Sequence, residues 1–195
     1  TASSCGAYVA KHGNRSASGK VGSADVLEAL GLDLKAPLEK VVNSLGIAKI
    51  TFLFAPSWHP ALVNLAPLRK KLGIRTIFNL LGPLVNPLQP SSQVLGVADS
   101  SLLDPMAEAL QRLGVKKAIV VHGSGGLDEA SMEGENNLRL IEGGVIKSMI
   151  LNPSDLGLSK SLCSDIQGGD LQLNKEILTS VLQGKGSKAQ RDIVG

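Results

Sequence analysis

The sequence has few aromatic residues, few cysteines and no long apolar run. Aromatic residues make up 3% of its 195 residues. The core must therefore be mainly aliphatic, and a surface that stacks the bases of single-stranded nucleic acid is nearly excluded, because that mode needs several exposed rings. The two cysteines, Cys5 and Cys163, argue against a disulfide scaffold and a thiolate metal site, and they suit a reducing compartment.

Signals for membrane insertion and export are also missing. No apolar run reaches the roughly 18 residues that a membrane span needs. No charged start followed by an apolar segment and a cleavage site is visible, which favours a cytoplasmic location. The chain begins with Thr1 rather than Met, so a plastid stays open as the alternative if a transit peptide has been removed.

Acidic residues are unevenly distributed. Residues 1–98 carry ten Lys/Arg and four Asp/Glu, a net charge of +6, whereas residues 99–195 carry ten and thirteen, a net charge of −3. No acid precedes Asp25, and none lies between Glu39 and Asp99. Cations in acid-free stretches suit an anionic ligand. The alternative interpretation places these cations on solvated helix faces.

The pattern of apolar residues predicts alternating strands and helices. The length, with 43% hydrophobic and 19% charged residues, is typical of a globular domain. Apolar runs predict strands at residues 49–55, 93–98 and 117–122, and a hairpin at 138–142 and 145–151 through Gly143 and Gly144. Residues 1–10 are predicted to be the end of a helix that runs into a short strand. Further helices are predicted from a cap at Ser23 and at residues 37–45, 60–72, 101–113 and from 170 onward, with a fresh start at Ser187. The fold class is therefore α/β, a mixed sheet with helices on both faces.

Residues 11–23 form the densest group of polar side chains. They comprise three cationic side chains, a histidine, an amide, three hydroxyls and three glycines, and are predicted to form a loop up to residue 22. Glycines let the backbone approach a ligand, arginine binds phosphate with two parallel bonds, and a helix beginning near Ser23 would direct its positive end there. The segment matches neither the nucleoside triphosphatase loop nor the dinucleotide fingerprint. It indicates a phosphate site, with an exposed polar turn as the alternative.

Asp128 and Glu129 are the second candidate site. They follow the glycine-rich residues 123–126, just past the carboxyl end of the strand predicted at 117–122, where open α/β sheets bind ligands. Adjacent carboxylates suit Mg²⁺, which takes oxygen ligands and often bridges to phosphates. An acidic turn is the alternative, but beside a phosphate loop the metal interpretation is the better one.

A cationic cluster at residues 69–75 is the third candidate, with His59 and Asn64 upstream. Consecutive cations on a helix cannot all face one ligand, so one could reach a carboxylate, but spacing does not say which. The three histidines lack the spacing of metal ligands, which favours structural roles for them.

Several blocks of residues strongly resemble the anthranilate phosphoribosyltransferases. The blocks, which keep the family's order and spacing over nearly the whole chain, are residues 11–15, 22–31, 59–61, 73–84 and 126–129. The resemblance implies the fold shared with pyrimidine nucleoside phosphorylases, a small helical domain plus a larger α/β domain. It implies transfer of the phosphoribosyl group of phosphoribosyl pyrophosphate to the amine of anthranilate in tryptophan biosynthesis, with Mg²⁺ as cofactor and a homodimeric parent enzyme.

The resemblance also implies roles for individual residues. Phosphoribosyl pyrophosphate would be bound by Lys11, His12, Gly13, Asn14, Arg15, Ser16, Ala17, Ser18, Gly19 and Ser23. Asn14 would also face anthranilate, Arg69 occupies the position that binds the anthranilate carboxylate, and Asp128 and Glu129 would hold Mg²⁺. No general acid or base is assigned, because the amine of anthranilate is already a nucleophile.

The chain departs from the family at both ends. The family's Gly-Thr-Gly-Gly-Asp loop, its Asn-x-Ser-Thr stretch and most of its N-terminal helices would precede Thr1, and further helices would follow Gly195. Residues 1–195 are thus expected to be a partial α/β catalytic domain without the N-terminal helical domain, unable to turn over alone. The alternatives are a related transferase-fold protein that binds nucleic acid, a pyrimidine nucleoside phosphorylase, which the blocks fit poorly, and a non-catalytic relic.

Overall fold

The computed structural model describes residues 1–15, 21–63 and 77–194, which form parts of two compact units. The first unit comprises Thr1–Gln89 with Gly168–Ser180, and the second comprises Pro90–Gln167 with Val181–Gly195. In the described ranges no helix is both long enough and apolar enough to cross a bilayer.

The first unit is built on a parallel pair of strands. β1 (Val9–Gly13) pairs with β2 (Ile50–Phe54), with Lys11 opposite Phe52. Parallel strands need a long crossover connection, and this one contains α1 (Ser23–Ala29) and α2 (Leu38–Ala48). After β2 come α3 (Ala55–Trp58), α4 (Pro60–Val63), α5 (Ile77–Leu81) and a 3₁₀ turn at Gly82–Leu84.

The core of the first unit lies between the crossover and β2. Its buried members are Ala24, Leu34 and Phe52, with Leu27 and Phe54 packed against them. The cluster combines three aliphatic side chains with two phenylalanine rings, so this core is less purely aliphatic than the scarcity of aromatic residues predicts.

The start of the chain differs from the prediction. The predicted short strand is present as β1, but residues 2–6 form turns rather than a helix, and β1 runs to Gly13, so the predicted loop begins later than residue 11. Ser23 is the first residue of α1 and does not cap it. Instead, a carboxylate oxygen of Asp25 accepts from the Gly22 N–H at 2.9 Å. Gly31 ends this helix in the left-handed region with φ of 99°, as its lack of a side chain allows.

The second unit contains a mixed four-stranded sheet. Its strands are β3 (Ser92–Gly96), β4 (Lys117–His122), β5 (Asn136–Glu142) and β6 (Val145–Leu151), in that order across the sheet. β3 and β4 are parallel, while β4–β5 and β5–β6 are antiparallel. The hairpin between β5 and β6 turns at Gly143 and Gly144, both with positive φ, as a two-residue turn requires. The predicted α/β fold with a mixed sheet is confirmed.

Helix α6 (Leu103–Arg112) covers this sheet. A 3₁₀ turn at Ser100–Leu102 precedes it, and the side chains that it buries are Leu103, Met106, Ala107 and Leu110. This spacing places one apolar stripe against β4 and β5.

The rest of the chain is helical in short pieces. Two 3₁₀ turns, Pro153–Leu156 and Cys163–Ile166, lead to α7 (Leu171–Leu182) and α8 (Lys188–Asp192). Ser187 caps α8 by accepting from the Gln190 N–H, which confirms the predicted fresh start.

Candidate functional site

Residues 11–15 lie at the carboxyl end of β1. Lys11 is exposed and His12 is partly buried, since successive strand residues point to opposite faces. Space at Gly13 is tight, because a Cβ there would lie 3.1 Å from the Phe52 ring, which would have to shift slightly. β1 therefore ends in close contact with β2. Asn14 and Arg15 follow directly, and both are exposed at the start of the basic segment.

His12 meets His59, 47 residues further along the chain. Their Nε2 atoms are 3.2 Å apart, and the rings lie edge to face with centroids 5.0 Å apart. His59 directly follows α3, where its backbone N–H donates to the Ala55 carbonyl. Burial lowers the pKa of His12, the charge of His59 lowers it further, and a hydrogen bond with the Gly82 backbone opposes them. Three of the blocks that carry the resemblance thus meet at His12.

Arg15 is engaged by helix α1 in this structure. One terminal nitrogen pairs with Asp25 at 2.8 Å and the other with Glu28 at 2.7 Å, and the guanidinium lies 5.8 Å from the centre of the Phe54 ring. The hydrogen bonds to Glu28 and then Asp25 raise the pKa of Arg15. No acidic residue precedes Asp25 in the sequence, but in the folded chain two acidic side chains contact this segment.

The other residues of the predicted phosphate site divide between described and undescribed parts. The side-chain oxygen of Asn14 accepts from the Arg15 N–H at 2.8 Å, which shapes the turn after β1. Ser23 is exposed at the start of α1. Four further predicted contacts, Ser16, Ala17, Ser18 and Gly19, lie outside the described residues, as does Arg69. Asn64 and the cationic cluster at residues 69–75 lie there too.

Asp128 and Glu129 stand in a turn that glycines hold against two strand ends. The Gly123 N–H donates to the Leu127 carbonyl at 2.8 Å and closes this turn after β4. A Cβ at Gly96 would lie 1.5 Å from the Asp128 carbonyl oxygen, and one at Gly123 would lie 2.2 Å from that of Glu129. Only residues without a side chain let the turn pack this closely, so the backbone of both acids is fixed.

Both carboxylates of this turn are exposed. Within the described ranges no side chain pairs with either of them, and no group of three or more His, Cys, Asp or Glu could hold a metal ion. Two exposed carboxylates fit Mg²⁺, which is usually held by one or two carboxylates, waters and substrate phosphates. They do not form a site for a metal that needs three or four protein ligands.

The remaining histidine has a structural role, as predicted. A ring nitrogen of His122, at the end of β4, lies 2.8 Å from the Val97 carbonyl, so the ring ties the ends of β3 and β4 together. Sequence reasoning missed the pairing of His12 with His59, since no spacing rule connects residues so far apart. It also missed Asn86, whose side-chain amide donates a hydrogen bond to the Ala10 carbonyl at 3.2 Å and so helps to hold β1 in place.

Comparison with known proteins gives consistent matches over the whole length. An anthranilate phosphoribosyltransferase from Parasynechococcus marenigrum strain WH8102 is 67% identical over 194 residues, covering 100% of this chain and 55% of the relative. The chain thus spans about half the length of the curated relatives that it matches.

Two solved structures have the same fold. The crystal structure of anthranilate phosphoribosyltransferase from Thermus thermophilus aligns with a TM-score of 0.89 and 44% identity, over 97% of this chain and 56% of that one. The Saccharomyces cerevisiae enzyme in complex with PRPP and Mg aligns with a TM-score of 0.82 and 28% identity, over 95% and 52%. The family described as "Glycosyl transferase family, a/b domain" matches residues 1–195. The chain therefore belongs to the α/β-domain family of these glycosyl transferases.

Proposed function

We propose that the protein containing this chain transfers the phosphoribosyl group of phosphoribosyl pyrophosphate to the amine of anthranilate, releasing pyrophosphate, as a step of tryptophan biosynthesis. One structural observation carries the proposal. The polar blocks that carry the resemblance stand at or beyond the carboxyl ends of strands, with residues 11–15 at the end of β1 and Asp128 with Glu129 in the turn after β4. In each unit, taken by itself, this is the end of the strands at which α/β sheets bind ligands.

The proposed donor site is the end of β1 and the segment after it. Lys11 supplies a flexible positive charge, and Gly13 lets the backbone approach the donor. The lowered pKa of His12 keeps its ring neutral near pH 7, so it contributes a hydrogen bond rather than a charge. Asn14 and Ser23 add polar contacts, and the proposal extends to residues 16–19. Asn14 also faces anthranilate, and Arg69 binds its carboxylate.

Arg15 needs a change of partners to bind a phosphate. Its guanidinium is shared between Asp25 and Glu28, so a phosphate has to compete with two carboxylates. The pair with Glu28 is solvent-exposed and the pair with Asp25 is partly so, and such ion pairs near the surface are weak. A pyrophosphate with several negative charges can therefore displace them, and α1 positions Arg15 until the donor arrives.

Asp128 and Glu129 are proposed to hold Mg²⁺. Their donor atoms are hard oxygens, both side chains are exposed, and their backbone is fixed by Gly96 and Gly123. When bound, Mg²⁺ would neutralise negative charge on the pyrophosphate leaving group.

The transfer exchanges one bond at the ribose. The amine nitrogen of anthranilate forms a bond to C1 of the ribose, and the bond from C1 to the pyrophosphate oxygen breaks, with the electron pair leaving on the oxygen. The amine then releases a proton to solvent. The protein's residues contribute position and positive charge at the leaving group rather than a strong base.

The proposal also covers the domain organisation, the oligomeric state and the location of the protein. Residues 1–195 act as part of an α/β catalytic domain. A Gly-Thr-Gly-Gly-Asp loop in the rest of the protein completes the pyrophosphate site, and a helical domain forms the dimer. The active form is a homodimer located in the cytoplasm.

The decisive experiment measures turnover in a chain of full family length. This chain is joined to the flanking segments of the Parasynechococcus relative, and the loss of anthranilate fluorescence is followed with phosphoribosyl pyrophosphate, with and without Mg²⁺. A loss that requires Mg²⁺ supports the proposal. No loss from folded protein contradicts it, and a DNA affinity that falls steeply with salt would favour the nucleic-acid-binding alternative.

Matched variants of the same chimera test the metal site. Asp128→Asn with Glu129→Gln should raise the Mg²⁺ concentration needed for half-maximal activity by at least about tenfold. Glu135→Gln removes an exposed carboxylate from the same unit and serves as the control. Equal Mg²⁺ dependence in the control and the double variant would contradict the assignment.

A further inference from the structure

The loop between Glu129 and β5 returns to the protein interior directly after the proposed metal-binding acids. Asp128 and Glu129 are exposed, whereas Ser131 is 2% exposed and Met132 is 7% exposed. The chain therefore passes from solvent into the core between Glu129 and Ser131. Because so little chain separates them, the group that holds Ser131 also limits where Glu129 can lie.

The Asn136 side chain, at the start of β5, holds Ser131 by both of its backbone groups. The side-chain oxygen of Asn136 accepts from the Ser131 N–H at 2.5 Å, and its amide nitrogen lies 3.0 Å from the Ser131 carbonyl oxygen. The same nitrogen lies 3.2 Å from the Gly134 carbonyl oxygen and 3.0 Å from that of Leu151 in β6. Its two N–H groups are thus shared among three carbonyls, and the loop is tied to both strands of the hairpin.

The hydrogen bonds of Asn136 require an amide at this position. An amide carries an acceptor and donors in a fixed arrangement, so it can pair with an N–H and with carbonyls at the same time. A carboxylate would place an oxygen against the carbonyl oxygens, and an apolar side chain would leave buried N–H and C=O groups without partners. Asn136 is 2% exposed, so solvent does not compete for these bonds.

The same loop also packs against a glycine. A Cβ at Gly123 would lie 2.2 Å from the Glu129 carbonyl oxygen and 3.2 Å from both the backbone nitrogen and the Cβ of Ser131. Residues 129–131 are therefore held by contacts with the end of β4 and with the start of β5. Groups that orient metal ligands from behind contribute strongly to metal affinity, although they do not touch the ion.

We propose that Asn136 is a positioning residue for the proposed magnesium site of Asp128 and Glu129. By holding Ser131, it places the Glu129 carboxylate where this group can bind the ion together with Asp128. The inference rests on the proposed function of the two acids, and Asn136 itself contacts neither the ion nor a substrate. Loss of its side chain should therefore weaken Mg²⁺ binding and leave the rate at saturating Mg²⁺ close to that of the wild type.

The test compares Asn136→Ala with Leu110→Ala in the chimera of full family length. Leu110 is a fully buried side chain of α6, so its truncation destabilises the same unit from a position outside the loop. Both variants are assayed at a temperature at which circular dichroism shows them folded. Asn136→Ala should raise the Mg²⁺ concentration for half-maximal rate by about tenfold, and Leu110→Ala should leave it unchanged. Equal Mg²⁺ dependence in the two variants would overturn the proposal.

The wild-type chimera and its carboxylate variant separate a failure of this inference from a failure of the proposed function. A wild type that needs no Mg²⁺ would contradict the metal site and the inference with it. The same holds if Asp128→Asn with Glu129→Gln keeps the wild-type Mg²⁺ dependence. A metal site that passes both checks, together with an unchanged Mg²⁺ dependence in Asn136→Ala, would overturn the role of Asn136 alone.

A spectroscopic measurement decides the matter if Asn136→Ala fails to fold. In the wild-type chimera, Mg²⁺ with pyrophosphate should shift the NMR signals of the Asn136 side-chain amide together with the backbone amides of residues 128–131. The reason is that the ion fixes the loop that Asn136 holds. Asn137, exposed on the same strand, supplies the control signal and should not move. Shifts of the loop signals without a shift of the Asn136 amide would overturn the proposal.

Discussion

Gly96 and Asp128 are packed so closely that a Cβ added at Gly96 would lie 1.5 Å from the Asp128 carbonyl oxygen. Gly96 ends β3, and Asp128 stands in the turn after β4, the parallel neighbour of β3. The missing side chain of one residue thus determines where the backbone of the other can lie. The proposed metal-binding carboxylates depend on a glycine 32 positions earlier in the chain.

Gly96→Ala is expected to destabilise the protein by about 1–3 kcal/mol or more, because the new methyl group meets fixed backbone atoms rather than a mobile side chain. Urea unfolding measures the change. The substitution should also weaken Mg²⁺ binding in the chimera, since it moves the turn that carries Asp128.

The control for this substitution is Gly46→Ala. Gly46 lies in α2 with open space where a Cβ would stand, and alanine favours a helix over glycine by about 1 kcal/mol. An equal loss of stability in both variants would contradict the steric explanation.

Asn136→Ala should cost about 3 kcal/mol, because it removes a buried group that pairs with several backbone atoms. The Asn136 side chain is 2% exposed, accepts from the Ser131 N–H at 2.5 Å and donates to the carbonyls of Ser131 and Leu151 at 3.0 Å each. Thermal and urea unfolding measure the loss. Asn137→Ala, at an exposed neighbouring position of β5, is the control and should change stability little.

The stability of the protein should fall as the pH is lowered from about 7 to 5, in part through His12. Burial and then His59 hold the pKa of His12 below its usual 6.5 in the folded state, so the unfolded chain binds a proton at a higher pH. The stabilisation is complete above pH 6.5 and is lost below it.

His12→Gln should flatten this dependence, which urea unfolding at pH 7.5 and pH 5 would show. Asn137→Ala changes an exposed side chain that does not titrate and should keep the slope of the wild type. An unchanged slope in His12→Gln would show that other groups cause the effect.

Glu28→Gln should strengthen the binding of phosphoribosyl pyrophosphate in the chimera by about two- to fivefold, because Arg15 loses one of its two competing carboxylates. Calorimetry at low salt measures the affinity. Glu39→Gln removes the same charge from an exposed position of α2 in the same unit. Equal gains in both variants would indicate a general electrostatic effect rather than release of Arg15.

Elements with strong local signals could be predicted from the sequence. The apolar centre of β4 gave its bounds at residues 117–122, the two glycines at 143–144 gave the hairpin, and Ser187 gave the start of α8. The start of the chain could be predicted only in part, since a short strand was expected there but its extent to Gly13 was not. Residues 9–13 form a strand only because β2 pairs with them, and β2 begins at Ile50, far along the chain.

For the candidate site too, the residue types could be predicted from the sequence but the contacts between distant residues could not. The residue types at 11–15, 128 and 129 indicated a phosphate segment and a hard-cation pair, because such chemistry depends on local composition. The ion pairs of Arg15 with Asp25 and Glu28 could not be predicted from the sequence. Both acids follow the acid-free stretch, and they reach Arg15 only in the folded chain. The meeting of His12 with His59 was not visible either.

The sequence by itself determined the α/β alternation, the aliphatic core and the chemical character of the two polar blocks, because propensity, turn residues and charge act between near neighbours. Tertiary structure alone decided which groups are paired and which stay open. Parallel pairing of β1 with β2 places His12 beside His59, and the approach of β3 to the turn after β4 leaves no room for a side chain at Gly96. Such contacts join residues far apart in the chain, and they form only when the strands have packed.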